Sequence, residues 1–74
     1  MFEIGKLYRY TCVWSTGLYR SHDQIGAFNK IRQNDIFVLL EQNKSHFKIL
    51  TSDGEVGWIT PGTTYLQKVG ENDV

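Results

Sequence analysis

The sequence predicts an all-β fold, a small barrel of five short strands with one long early loop. Three observations predict it. Turn signals recur along the chain, at Ser15-Thr16-Gly17, Ser21 to Gly26, Gln33-Asn34-Asp35, Gln42 to Ser45, Asp53-Gly54 and Pro61-Gly62. Between them lie short runs rich in β-branched and aromatic residues. No segment repeats its apolar residues at a helical period.

The elements follow in order. Tyr8 to Trp14 is the first expected strand, with Tyr8, Tyr10, Cys12 and Trp14 on one side. Leu7, Arg9, Thr11 and Val13 alternate with them, and the pattern leaves open which side faces inward. The long loop comes next. Ile36 to Glu41 is the clearest strand, apolar on both faces: Ile36, Val38 and Leu40 on one, Phe37 and Leu39 on the other. Phe47 to Thr51 follows a polar turn. Asp53-Gly54 fits a tight hairpin, because glycine accepts positive φ without steric penalty. Glu55 to Thr60 returns, with Val56 and Ile59 expected in the core. Pro61-Gly62 ends that strand, one 3-10 turn is placed around Thr63 to Tyr65, and Tyr65 to Val69 is the last strand. Residues 1–70 form one domain in this reading, and 71–74 form a disordered acidic tail. Closing the sheet on itself hides its edges and lets a small core serve both faces.

Composition bounds the function. At 74 residues the chain is the size of one domain, and it buries only roughly 60% of its unfolded surface. Such a domain is small for an enzyme with a deep cleft. Aromatics reach 14%, a means of gathering buried area in a small core. Cys12 is the only cysteine, so an intrachain disulfide is excluded. That count, and the lack of a basic start followed by an apolar stretch in Met1 to Tyr10, lead to an expectation of a reducing, cytoplasmic setting. The longest apolar run, Ile36 to Leu40, is far below the ~20 residues of a membrane-spanning helix. Asn43-Lys44-Ser45 fits a glycosylation tripeptide, read here as chance. Formal net charge is zero, yet the chain is +3 through Arg32 and −3 from Gln33 onward. The early loops are therefore the more basic ones.

From Leu7 to Val69 the chain resembles bacterial SH3 (SH3b) domains. The resemblance rests on Ile36-Phe37-Val38-Leu39-Leu40-Glu41, His46-Phe47-Lys48-Ile49, Asp53-Gly54-Glu55-Val56-Gly57-Trp58-Ile59 and Tyr65-Leu66. These match that family's strand, its aromatic-x-Lys strand, its Gly-Trp hairpin and its terminal Tyr-Leu. Leu18-Tyr19-Arg20-Ser21 and Asn29 to Asp35 stand where such domains carry an Asn-Val-Arg-Ser stretch and a polar turn. Lys6-Leu7-Tyr8-Arg9-Tyr10 is similar to the opening of eukaryotic SH3 domains. The resemblance implies an SH3-like barrel with a long RT-type loop. It also implies a binding groove built from first-strand, loop and C-terminal aromatics. Trp58 and Tyr65 match groove aromatics, Pro61 lies near the groove proline, and His46 stands where a groove tryptophan is usual. The loop carries Arg20, His22 and Lys30 with Asp23 its only acid, which does not match proline-rich ligands bearing an arginine. SH3b domains also imply cell-wall targeting.

No constellation of catalytic residues emerges. Ser21-His22-Asp23 spells a hydrolase triad, but neighbours on an extended chain point to opposite sides. Cys12, His22 and His46 are too widely spaced for a metal site of three or four convergent ligands. Cys12 reads as a small buried hydrophobe. Gly54 and Gly57 bracket a hairpin and do not open a helix, so they make no phosphate cradle. Trp58 is read as part of a binding surface, and Trp14 as a ring capping the barrel end.

The expectation is thus a non-catalytic module, with no enzyme activity, cofactor, metal, membrane or small-molecule substrate. It binds another protein or protein complex as an adaptor, inhibitor or regulator, of a kind found in bacteria and their phages. Its surface is Tyr8, Tyr10, Tyr19, Arg20, His46, Trp58 and Tyr65. Two alternatives stand beside it. One is RNA or DNA binding through Arg9, Arg20, Lys30 and Arg32 with nearby aromatics, which the neutral net charge opposes. The other is peptidoglycan binding through the same rings.

Overall fold

Among the described residues nine side chains form the core: Tyr8, Tyr10, Leu18, Ile31, Phe37, Leu39, Phe47, Ile49 and Ile59. Each comes from a β-strand, and their alternation with outward residues sets the register of the whole molecule. The computed structural model describes residues 2–21, 26–62 and 65–70. Its strands are β1 (Leu7–Tyr10), β2 (Thr16–Leu18), β3 (Asn29–Ile31), β4 (Ile36–Asn43), β5 (His46–Thr51), β6 (Val56–Ile59) and β7 (Leu66–Lys68). One antiparallel sheet runs β6-β5-β4-β1-β7, and β2 and β3 form a two-stranded ribbon.

The all-β expectation holds, and the count of strands differs. The first strand stops at Tyr10, well short of Trp14. Tyr10 donates its amide to the Asp35 carbonyl (2.9 Å) and accepts from the Asn34 amide (2.7 Å). These bonds tie the end of β1 to the turn that leads into β4. The long loop is not irregular throughout, because β2 and β3 pair within it. The sheet is not closed. β6 and β7 are its two ends, and among the described residues the Tyr19–Trp58 bridge is the backbone pairing between the ribbon and β6.

Strand β1 resolves the sequence ambiguity. Tyr8 and Tyr10 are buried, while Leu7 is exposed. In β6, Gly57 and Ile59 face inward and Val56 is 45% exposed, which corrects its expected place in the core. The period of two allows only one of Val56 and Ile59 to be inside. Leu40 is an extra residue in β4, since Leu39 pairs with Ile49 and Glu41 with Lys48. This bulge bends the strand around the core. Phe2 caps the core, 5.5 Å from the Tyr8 ring and 5.2 Å from the Phe47 ring between centroids.

Near the C-terminus the Tyr65 amide donates to the Gly62 carbonyl at 3.0 Å, the three-residue spacing of a 3-10 turn. Thr63, Thr64, His22, Asp23 and the tail at 71–74 lie outside the described residues. Among the described residues no helix is long and apolar enough to cross a membrane.

Candidate functional site

The site grows from one close approach of backbones. Gly57 has no side chain, and a Cβ there would lie 2.7 Å from Leu18 Cδ1 and 2.9 Å from the Tyr19 carbonyl oxygen. Its absence lets β2 run against β6. Tyr19 and Trp58 then exchange two hydrogen bonds: the Tyr19 amide donates to the Trp58 carbonyl (2.9 Å), and the Trp58 amide donates to the Tyr19 carbonyl (2.6 Å). Residues paired in this way project their side chains to the same face. Both are half-buried. The same row continues through Lys48, opposite Trp58, to Glu41, opposite Lys48.

Of two further expected residues, His46 joins this face and Arg20 lies next to it in the chain. Arg20 follows Tyr19, is exposed, and sets its guanidinium 4.3 Å from the centre of the Phe28 ring. That geometry is a cation–π contact, which restrains the cation while leaving it hydrated. His46 opens β5 opposite Asn43 and is half-buried. Phe47 points inward, so His46 lies on the outer side with Lys48, diagonal to Trp58. The fold therefore gathers Tyr19, His46 and Trp58 on one side, with Arg20 next to Tyr19 in the chain and over the Phe28 ring.

The other expected surface residues lie elsewhere. Tyr8 and Tyr10 are 2% and 3% exposed, so their rings serve the core. Their hydroxyls are satisfied locally: Tyr8 accepts from the Glu3 amide (2.8 Å), and Tyr10 donates to the Trp14 carbonyl (2.6 Å). Burial, then the neighbouring Cys12 and Tyr65, push the Tyr10 hydroxyl up to about 12. Tyr65 is 44% exposed, with its ring over Gly62 and its carbonyl accepting from the Thr11 amide (2.8 Å). It belongs with the loop after β1.

The four residues of the nucleic-acid alternative are not on one face. Arg9 sits on the outer face of β1 between Ile36 and Gln67. Lys30 and Arg32 line a polar cleft of about 130 Å³ whose walls also carry Asp35, Asp53 and Glu55. The Asn29 side-chain amide crosses to the Glu55 carboxylate at 2.6 Å. Acids therefore accompany these cations, which lowers the potential any phosphate would meet. Among the described residues no group of three or more His, Cys, Asp or Glu side chains is placed to hold a metal ion.

Sequence reasoning underrated Trp14 and Val13, which are 78% and 70% exposed. Trp14 does not cap the barrel end. The signal that could have found them is the Ser15-Thr16-Gly17 stretch that follows: β2 begins at Thr16, which leaves little chain to fold either side chain back. No protein-family model, curated protein or solved structure matches this chain.

Proposed function

We propose that this chain is a non-catalytic SH3-like binding module that recognises another protein through the face around Tyr19 and Trp58. One observation carries the reading. Two large aromatics from distant segments are brought side by side on the outer surface by reciprocal backbone bonds. Cations at Arg20 and Lys48 and the imidazole of His46 border them. Aromatic residues and arginine dominate the energetics of protein interfaces when they meet a complementary pocket. A surface held by backbone bonds loses little freedom on binding, which favours affinity.

The strand order supports the SH3-like part of the proposal. Three consecutive hairpin strands (β4, β5 and β6) lie beside the first strand, which pairs with the last. The ribbon between β1 and β4 takes the part of the long loop. The fold alone does not select a function, so the proposal stands on the aromatic face. An adaptor, inhibitor or regulator of a larger assembly is the role such a small module fits.

Affinity capture with the tagged chain, with and without nuclease, tests this. The expected outcome is one protein retained under both conditions. Capture that vanishes with nuclease transfers the function to nucleic-acid binding. Sedimentation with purified peptidoglycan, if it occurs, transfers it to the cell wall.

A further inference from the structure

We infer that the polar cleft beside β3 binds a small zwitterionic solute, an ammonium and a carboxylate carried on one short aliphatic frame, as in a free α-amino acid. The inference goes beyond the protein-binding reading and does not rest on it. The cleft takes none of its lining from Tyr19, His46, Lys48 or Trp58.

The cleft has two walls of different origin. β3 and the turn after it bring Lys30 and Arg32, and the connection between β5 and β6 brings Asp53 and Glu55. The Asn29 side-chain amide reaches across to Glu55 Oε1 at 2.6 Å and ties the walls together. Each wall is braced through its backbone. The Glu55 amide donates to Thr51 Oγ1 (3.0 Å), the Thr51 amide to the Glu55 carbonyl (2.8 Å), and the Gly54 amide to the Thr51 carbonyl (3.0 Å). On the other wall the Arg32 amide donates to the Asp35 carboxylate at 2.8 Å. A ligand would therefore find the walls already in place, which lowers the entropy cost of binding. Leu18 and Ile31, both buried, add an apolar lining.

Charge selects the ligand class. Cations stand on one wall and acids on the other, and among the described residues none of Lys30, Arg32, Asp53 and Glu55 is in an ion pair. The two signs share the cleft without neutralising each other. A lone anion would gain from Lys30 and Arg32 but meet Asp53 and Glu55, and a lone cation would meet the reverse. A zwitterion answers both walls at once. Its carboxylate suits the planar fork of Arg32, and its ammonium suits the carboxylates opposite. Its aliphatic carbons lie against the Leu18 and Ile31 lining. Size agrees: the cleft is about 130 Å³, and a cavity of roughly 150 Å³ takes up benzene, a ligand of about six heavy atoms. Alanine is of that size.

The test is a titration of the full, nitrogen-15-labelled chain with L-alanine, followed by amide chemical shifts. The expected result is saturable shifts centred on residues 29–32 and 51–55, with a dissociation constant of about 5 mM or tighter. Shifts that do not saturate by ~50 mM, or that centre elsewhere, overturn the inference. Propionate and ethylamine each carry one of the two charges and should bind at least about tenfold more weakly than alanine. Either one binding within about threefold of alanine overturns the zwitterion as the ligand class. Arg32→Gln and Asp53→Asn then remove one charge from each wall. Both side chains are exposed, the Arg32 bond to Asp35 runs through its backbone amide, and asparagine before Gly54 keeps a favoured turn pair. Each variant should weaken alanine binding at least about fivefold with circular dichroism unchanged. An affinity within about twofold of wild type in either variant overturns the two-wall assignment.

Discussion

Tyr10 links the core to the surface. Its ring is buried among the core residues, and its hydroxyl holds the loop that presents Trp14. Replacing it with phenylalanine keeps the ring and removes the donor. Tyr10→Phe should cost about 1 kcal/mol at neutral pH, the usual scale of a net hydrogen bond. Urea unfolding checks this. The sign of the pH dependence follows from the raised hydroxyl. An unfolded tyrosine ionises near ~10, whereas the folded Tyr10 is pushed up to about 12. The stability gained from the neutral form is present below ~10 and is lost as pH rises through the folded value. The wild-type advantage over Tyr10→Phe should therefore shrink between about pH 10 and 12; an advantage that grew there would contradict the assignment. Glu3 titrates in the opposite sense. Its hydrogen bond and attraction to Lys68 hold its carboxyl below the usual range, so that small contribution disappears on acidification.

At the scale of elements, two backbone positions decide how the strands meet. Gly57 permits the β2–β6 contact. Gly57→Ala would place a methyl group against Leu18 and the Tyr19 carbonyl, and should destabilise the fold by about 2 kcal/mol or more. Thermal unfolding with circular dichroism reads the loss. Lys44, in the β4–β5 turn, has φ of 59°. A left-handed backbone is strained for lysine and free for glycine. Lys44→Gly should stabilise the hairpin by about 0.5–1 kcal/mol, measured the same way. Element existence was largely legible in the sequence, because Ile36–Glu41, Phe47–Thr51 and the Asp53-Gly54 hairpin carry strong local signals. Two things were not. The β2–β3 ribbon uses only three residues in each strand, too few to show alternation. The end of β1 at Tyr10 is tied to Asn34 and Asp35, which lie more than twenty residues away and leave no local trace.

For the whole molecule, the candidate site was half legible for the same reason. Residue type marked Tyr19, Arg20, His46 and Trp58, and the fold sets Tyr19, His46 and Trp58 on one face. Residue type also marked Tyr8 and Tyr10, which the register of β1 turns inward. The positive first half of the chain suggested a basic surface, but folding sets Lys30 and Arg32 beside Asp35, Asp53 and Glu55. A fluorescent single-stranded oligonucleotide at physiological salt should accordingly show no saturable anisotropy change below ~100 μM, the weak end of non-specific affinities. The central claim, that Trp58 anchors a protein interface, is tested most directly by the dissociation constant of Trp58→Ala for the captured partner. The account predicts binding weaker by roughly thirtyfold or more, a hot-spot effect of about 2 kcal/mol, with the folded spectrum retained. An affinity within about threefold of wild type, roughly 0.7 kcal/mol, would contradict it.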